Sequence, residues 1–267
     1  MSRKPDPQKR KRSSPPAEAG PRLAWVISDL LRQATGDLNR VQEHPEAAIH
    51  HLRRRMKKLE SLIRLTGKLA GKDTRRQIAQ LMLGIKNAFS DQRDQTVMES
   101  LAFHMGGATL ARQLTQKGKA EGIHPTAVCL DSATQLAEIL SALPVSSLTW
   151  TDLKKAHQQT AREARRLWRR ALEEPTPKHF HECRKETKAL FYQLLFIRLI
   201  KGRRKRKIRH AKELSHWLGK HHDLHVLRKA LKQRQLLDAS RQEDIRKREA
   251  SILKRALRAG RKLHGRD

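Results

Sequence analysis

Aromatic residues are scarce in this sequence: one Tyr, four Trp and five Phe make up 4% of its 267 residues. So few rings leave little from which to build a platform that stacks bases, a requirement of most sequence-specific readers of single-stranded nucleic acid. Cysteine is nearly absent. Cys129 and Cys183 cannot supply a disulfide framework, which fits a reducing compartment. No apolar stretch is long. The most hydrophobic segment, 190–200, contains Gln193 and Arg198 and is about half of the ~20 residues a bilayer span needs, so no membrane helix is expected. Residues 1–20 have no apolar centre of the kind a secretory signal carries, and the chain reads as cytoplasmic. Alternating β-branched segments are missing as well, which argues against sheets.

Acidic residues are the other shortage. Twenty-seven Asp and Glu face 59 Lys and Arg, for a formal net charge of +32. Self-repulsion on that scale disfavours a compact state unless counterions or a polyanion spread over the surface, so the partner is expected to be rich in phosphate or another dense anion. A small neutral substrate would not require it. At 37% the hydrophobic fraction is below the usual ~45%, yet a chain this long still buries a core or two.

Residues 1–20, with Lys9, Arg10, Lys11 and Arg12 among four prolines, are too polar to offset ordering entropy and read as a disordered basic tail. Beyond them apolar residues recur at helical spacing, and the chain reads as all-α. Helices are expected at 22–43, 46–66, 73–104 with a break near Ser90, and 107–141 interrupted at 122–125. The second series runs 149–173, 178–200, 204–235 with a break near Gly219, and 238–262, leaving 263–267 as a short tail.

The two series are related. His50-x-x-Arg53-Arg54-x-x-Lys57-x-Leu59 matches His181-x-x-Arg184-Lys185-x-x-Lys188-x-Leu190 at an offset of 131. Further on, Arg93-Asp94-x-x-Val97 matches His222-Asp223-x-x-Val226 at an offset of 129. Two signatures in the same order at nearly one offset imply duplication, with repeat halves 21–141 and 149–262 of four helices each.

On a helical wheel Arg53, Arg54 and Lys57 fall within about 60° of His50, and Ile49, Leu52, Met56 and Leu59 form an apolar stripe beside them. Arg184, Lys185, Lys188 and Tyr192 likewise fall within about 60° of His181. Cations that border a packed seam line a groove or channel between helices. One Lys/Arg stripe is usually a solvated face, but a solvated face has no reason to keep His, Arg and Lys in register twice. A shared anion site is therefore expected, with binding weakened to similar degrees by Arg53→Ala and Arg184→Ala. Arg162, Arg166 and Arg169 could extend its wall. The acid-free run 203–207, ending in Lys207, with Arg209 and Lys212 behind it, would make a mouth or an electrostatic funnel. Asp94 and Asp223 are expected to orient neighbouring cations.

These motifs resemble the CHAD domain, a conserved-histidine α-helical family marked by H-x-x-R-x-x-x-[KR]-[KR]-L near the start of each of two repeats. The resemblance covers roughly residues 22–262 and includes the Lys57-Lys58 pair, Tyr192, and Leu218-Gly219-x-x-His222-Asp223. Glu60, Phe191 and Ala189 depart from it and thin the charge locally. It implies two duplicated four-helix bundles around a basic central pore that binds inorganic polyphosphate, with the polyphosphate granule as a place of action. The binding residues implied are His50, Arg53, Arg54, Lys57, Lys58, Arg93, His181, Arg184, Lys185, Lys188, Tyr192 and His222, joined by Arg166 and Lys207. No catalytic residue, metal or cofactor is assigned, and no acidic strand of a CYTH triphosphatase accompanies the match.

Two other functions compete with this one. His221-His222-Asp223-Leu224-His225 contains the His-Asp dyad of metal-dependent HD phosphohydrolases, and His221 and His225 could share a metal. The repeat, however, puts Arg93 where His222 stands, and a cation cannot ligate a metal. Nucleic acid also offers phosphates. With Trp25, Trp150, Trp168 and Trp217 read as core, it remains an auxiliary, salt-sensitive partner of tail and surface. A non-enzymatic binding protein is the main expectation.

Overall fold

The computed structural model describes residues 18–67, 69–115, 125–202 and 204–265, with the side chains of residues 90–97 and 115 outside the description. Nine α-helices are found among them: α1 (Ala19–Leu38), α2 (Pro45–Ile63), α3 (Lys72–Asn87), α4 (Ser90–Thr115), α5 (Thr126–Ala142), α6 (Trp150–Glu173), α7 (Pro177–Lys201), α8 (Lys205–Gln233) and α9 (Ala239–His264). No strand occurs among the described residues. The chain is all-α, as its periodicity predicts. Helix starts follow local chemistry. Thr149 and Asp152 cap each other's backbone at α6, and the Thr176 hydroxyl accepts from the His179 N–H at α7, where Pro177 occupies the first turn. Gly202, in the left-handed region at φ 67°, ends α7.

The expected breaks divide. The one near Ser90 is present, since α3 stops at Asn87 and α4 begins at Ser90. The boundary between 104 and 107 is a kink inside α4 at Gly106 and Gly107, the latter at φ 69°. The break at Gly219 does not occur, and α8 runs through it. A mid-helix glycine costs about 1 kcal/mol, which the burial of Leu214, Leu218 and Leu224 on either side offsets. The expected interruption at 122–125 and the tail over 1–17 fall outside the described residues, apart from Pro125; Ala19 and Gly20 already belong to α1.

Helices α1, α2, α3 and α5 share one core, whose centre includes Leu23, Leu52, Leu59 and Leu136. A second core joins Trp168 of α6, Cys183 of α7, Leu218 of α8 and Ala256 of α9. Helix α4 leaves the first set at the α3–α4 break: its Ala102, Leu110 and Leu114 are buried against Leu224, Leu227 and Leu231 of α8. Between the cores α7 buries side chains on most of its circumference, from Phe180 to Ile197. Its partner across the middle is α2. The Ser61 hydroxyl donates to the Ala189 carbonyl at 2.6 Å, the Gln193 amide donates to the Ser61 carbonyl at 3.2 Å, and Arg64 pairs with Glu186 at 2.6 Å. As numbers rise on α2 they fall on α7, so the two repeat motifs meet in an antiparallel pair.

Trp168 is only 1% exposed, and its ring lies where a β-carbon on Gly260 would stand, at 2.2 Å. Gly260→Ala must push the indole out of a filled core. Thermal or chemical unfolding should show a loss of about 1–3 kcal/mol, the usual cost of overpacking. A neutral result would show that the α6–α9 contact is loosely packed.

Candidate anion-binding site

The site is built on the apolar stripes of α2 and α7. Ile49, Leu52, Met56 and Leu59 are buried as the wheel requires, and Arg53, Lys57 and Lys58 emerge half-buried beside them, with His50 and Arg54 exposed. On α7, Phe180, Cys183 and Leu190 are buried; His181, Arg184 and Lys188 are half-buried and Lys185 is exposed. Tyr192 is 8% exposed, with the Lys188 ammonium 5.2 Å from its ring centre.

The antiparallel pair brings cations from both repeats together. Burial first, then Arg184, Arg54 and Lys212, depresses the Lys188 ammonium below its ordinary value. Burial, followed by Arg184 and Lys185 and more weakly by Lys57 across the seam, also lowers the His181 imidazole. The Tyr192 phenol is pushed up by burial and drawn back by Arg54. A third wall comes from α8. A β-carbon on Gly219 would stand 3.5 Å from the Arg184 Nε, so Arg184 lies along this helix. His216 is lowered by burial and then by Lys220, Lys188 and Lys212. Cations that lower one another's proton affinity are held together by the fold against their own repulsion, an arrangement that an arriving anion relieves.

His181 and His222 meet at 3.2 Å, Nδ1 to Nδ1. One ring nitrogen must donate and the other accept, so the contact as it stands requires at least one neutral imidazole. Beside the seam, Gln33, His51, Arg54, Arg55, Lys58 and Tyr192 line a cleft of about 280 Å³. Lys58 is lowered by burial and supported by Asp29, and Arg55 is ion-paired to Asp37, so this cleft is of mixed charge.

Several expected site residues have local partners of their own. The Arg53 guanidinium donates to the Lys86 carbonyl at the end of α3, 2.9 Å away, which ties it to a helix terminus. His50 sits edge-on to His51 at the exposed start of α2. Arg166 forks onto Glu163 at 2.6 and 2.9 Å on the outer face of α6. Lys207 is exposed on α8 and acts on His157, whose ring bonds Gln193 of α7. The Arg93 and Asp94 side chains lie outside the described residues. Of the four tryptophans read as core, Trp168 is fully buried, Trp25 and Trp217 are half-buried and packed against the first and second cores, and Trp150 is half-buried outside them. Lys201 stands over Trp150, and both Lys220 and Arg255 stand over Trp217.

The sequence reading missed His51, Arg55, His216 and Lys220. For the last two a signal existed in the i, i+4, i+8 spacing of Lys212, His216 and Lys220, which sets them on one face of α8. In the histidine-rich segment His221 is buried, edge-on to Phe180 at a 4.9 Å centroid distance, and lowered by burial and His225. Among the described residues no group of three or more His, Cys, Asp or Glu is placed to hold a metal ion. Burial pushes the Cys183 thiol up to about 12. No helix among the described residues is long and apolar enough to cross a membrane.

The family model described as CHAD domain matches residues 25–232. No curated protein and no solved structure matches the chain.

Proposed function

Because the chain belongs to the CHAD domain family, we propose that it binds long-chain inorganic polyphosphate without hydrolysing it, in a basic pore between two duplicated four-helix halves. The observation that carries this reading is that Arg184 of α7 lies along α8 at Gly219 and that Arg184, Arg54 of α2 and Lys212 of α8 all act on the Lys188 ammonium. Arginine forks engage phosphate oxygens in pairs, lysine adds a point charge, and the His181–His222 pair adds a donor whose charge can follow the ligand. A dense, flexible row of phosphates suits this irregular mixture better than one compact anion. Action in the cytoplasm, at polyphosphate granules, follows from the same ligand.

The test is competition at near-physiological salt among long-chain polyphosphate, RNA, duplex DNA and heparin. Polyphosphate should win. With about eight phosphates neutralised, the log–log salt slope should be about −5 to −6 by the single-strand counterion rule. RNA bound as tightly at equal charge would favour a nucleic-acid protein. Phosphate release with Mg²⁺ or Mn²⁺ would favour the hydrolase.

A further inference from the structure

The cations of the seam do not end at α8. His216 feels Lys188 on one side and Lys220 on the other, and Lys220 lies over the Trp217 ring at 5.4 Å. The same ring carries the Arg255 guanidinium of α9 at 4.7 Å. Past Trp217 the outer face of α9 continues the charge. From residue 250 to 265 there is no acidic residue, and Lys254, Arg255, Arg258, Arg261 and Lys262 are all exposed. Lys254, Arg255 and Arg258 fall within about 100° on the α9 wheel, with the buried Ala256 and Gly260 on the opposite side. Helix α9 begins at Ala239, beyond the family match that stops at residue 232.

We propose that the α8–α9 face around Trp217 is a second polyphosphate-binding surface, continuous with the seam, which takes the part of a long chain that the seam leaves outside. This inference rests on the polyphosphate reading. It adds a dependence on chain length: tripolyphosphate is satisfied within the seam, while a long chain passes Lys220 and Trp217 and lies along Lys254, Arg255 and Arg258. Nucleic acid is the less favoured occupant, because the Trp217 ring on which a base would stack already carries two cations.

The experiment compares tripolyphosphate, long-chain polyphosphate and RNA on the full chain and on a Lys254→Ala, Arg255→Ala, Arg258→Ala variant. Long-chain affinity should fall roughly tenfold or more and the magnitude of its salt slope by about two, while tripolyphosphate binding stays as in the unaltered chain. A charge-keeping variant, Lys254→Arg, Arg255→Lys, Arg258→Lys, should restore the long-chain affinity. Long chains should also change tryptophan emission, and Trp217→Phe should remove that change. Unaltered long-chain binding by the alanine variant overturns the second surface and leaves the seam reading intact. A loss confined to RNA assigns the face to nucleic acid and overturns the inference. Failure of the unaltered chain to bind either polyphosphate overturns the underlying reading instead.

Discussion

Arg184→Ala combined with Lys188→Met should weaken long-chain polyphosphate binding by about 10²- to 10⁴-fold, since each lost charge-assisted contact costs about 1.5–3 kcal/mol. The Lys188 ammonium stands over the Phe191 and Tyr192 rings, and methionine keeps most of the stem that carries it, so the change removes charge more than bulk. The same variant should unfold at a higher temperature than the unaltered chain when no ligand is present. Burial and the neighbouring Arg184, Arg54 and Lys212 all disfavour a charged Lys188, and deleting two of these cations relieves the strain. A binding site held at a cost in stability gives this paired signature of lower affinity and higher thermal midpoint. Calorimetry or polarisation for affinity and a thermal melt for stability read the two effects on one sample. Unchanged affinity would remove the seam as the binding site. Reduced affinity with a lower melting temperature would mean that the cations serve the fold.

Arg53 separates from Arg184 in this respect, although the repeat aligns them. Its guanidinium donates to the Lys86 carbonyl at the end of α3, a terminus that exists because the chain breaks before Ser90. In the second half α8 continues through the corresponding region, and Arg184 lies along the helix beside Gly219. Arg53→Ala therefore loses a tether between α2 and α3 in addition to any ligand contact, and similar losses are no longer expected.

That divergence marks what the sequence could carry. Periodicity, the helix expected over 178–200 and the Ser90 break are local, and the structure has each of them. The repeat was legible because its motifs recur in one register along the sequence, whereas the packing of α2 against α7 is seen only in the structure. The destination of Arg53 was not legible, since it depends on where α3 ends relative to α2. Lys212, His216 and Lys220 formed a visible stripe, but only the contact of α7 with α8 turns that stripe toward Lys188. Arg166 is the opposite case. Glu163 stands three residues before it, within reach on any helix, and the local ion pair was readable before the fold was known.

A buried polar group sets the second large effect. Gln193 is fully buried, and its amide donates to the Ser61 carbonyl of α2 at 3.2 Å and to the Thr160 hydroxyl of α6 at 3.0 Å. With both N–H bonds placed, the amide oxygen is left to accept from His157 Nδ1 at 3.2 Å, which fixes His157 as the neutral tautomer protonated on Nδ1. Burial lowers the His157 pKa to about 4, against a partial upward pull from Gln193. An unfolded chain protonates this residue near 6.5, so between about 6.5 and 4 the unfolded state binds more protons. Stability must then fall as pH drops through that interval and level off below it, by up to about 3 kcal/mol from this histidine. His157→Gln should be less stable than the unaltered chain at pH 7, because the network is disturbed, and the gap should narrow as pH approaches 4.5. Denaturant unfolding of both proteins across pH 4.5–7.5 gives the comparison, with the narrowing isolating His157 from the other lowered histidines. Two curves that stay parallel over the whole range would show that His157 does not titrate on unfolding, and that the strut joining α2, α6 and α7 is indifferent to acid.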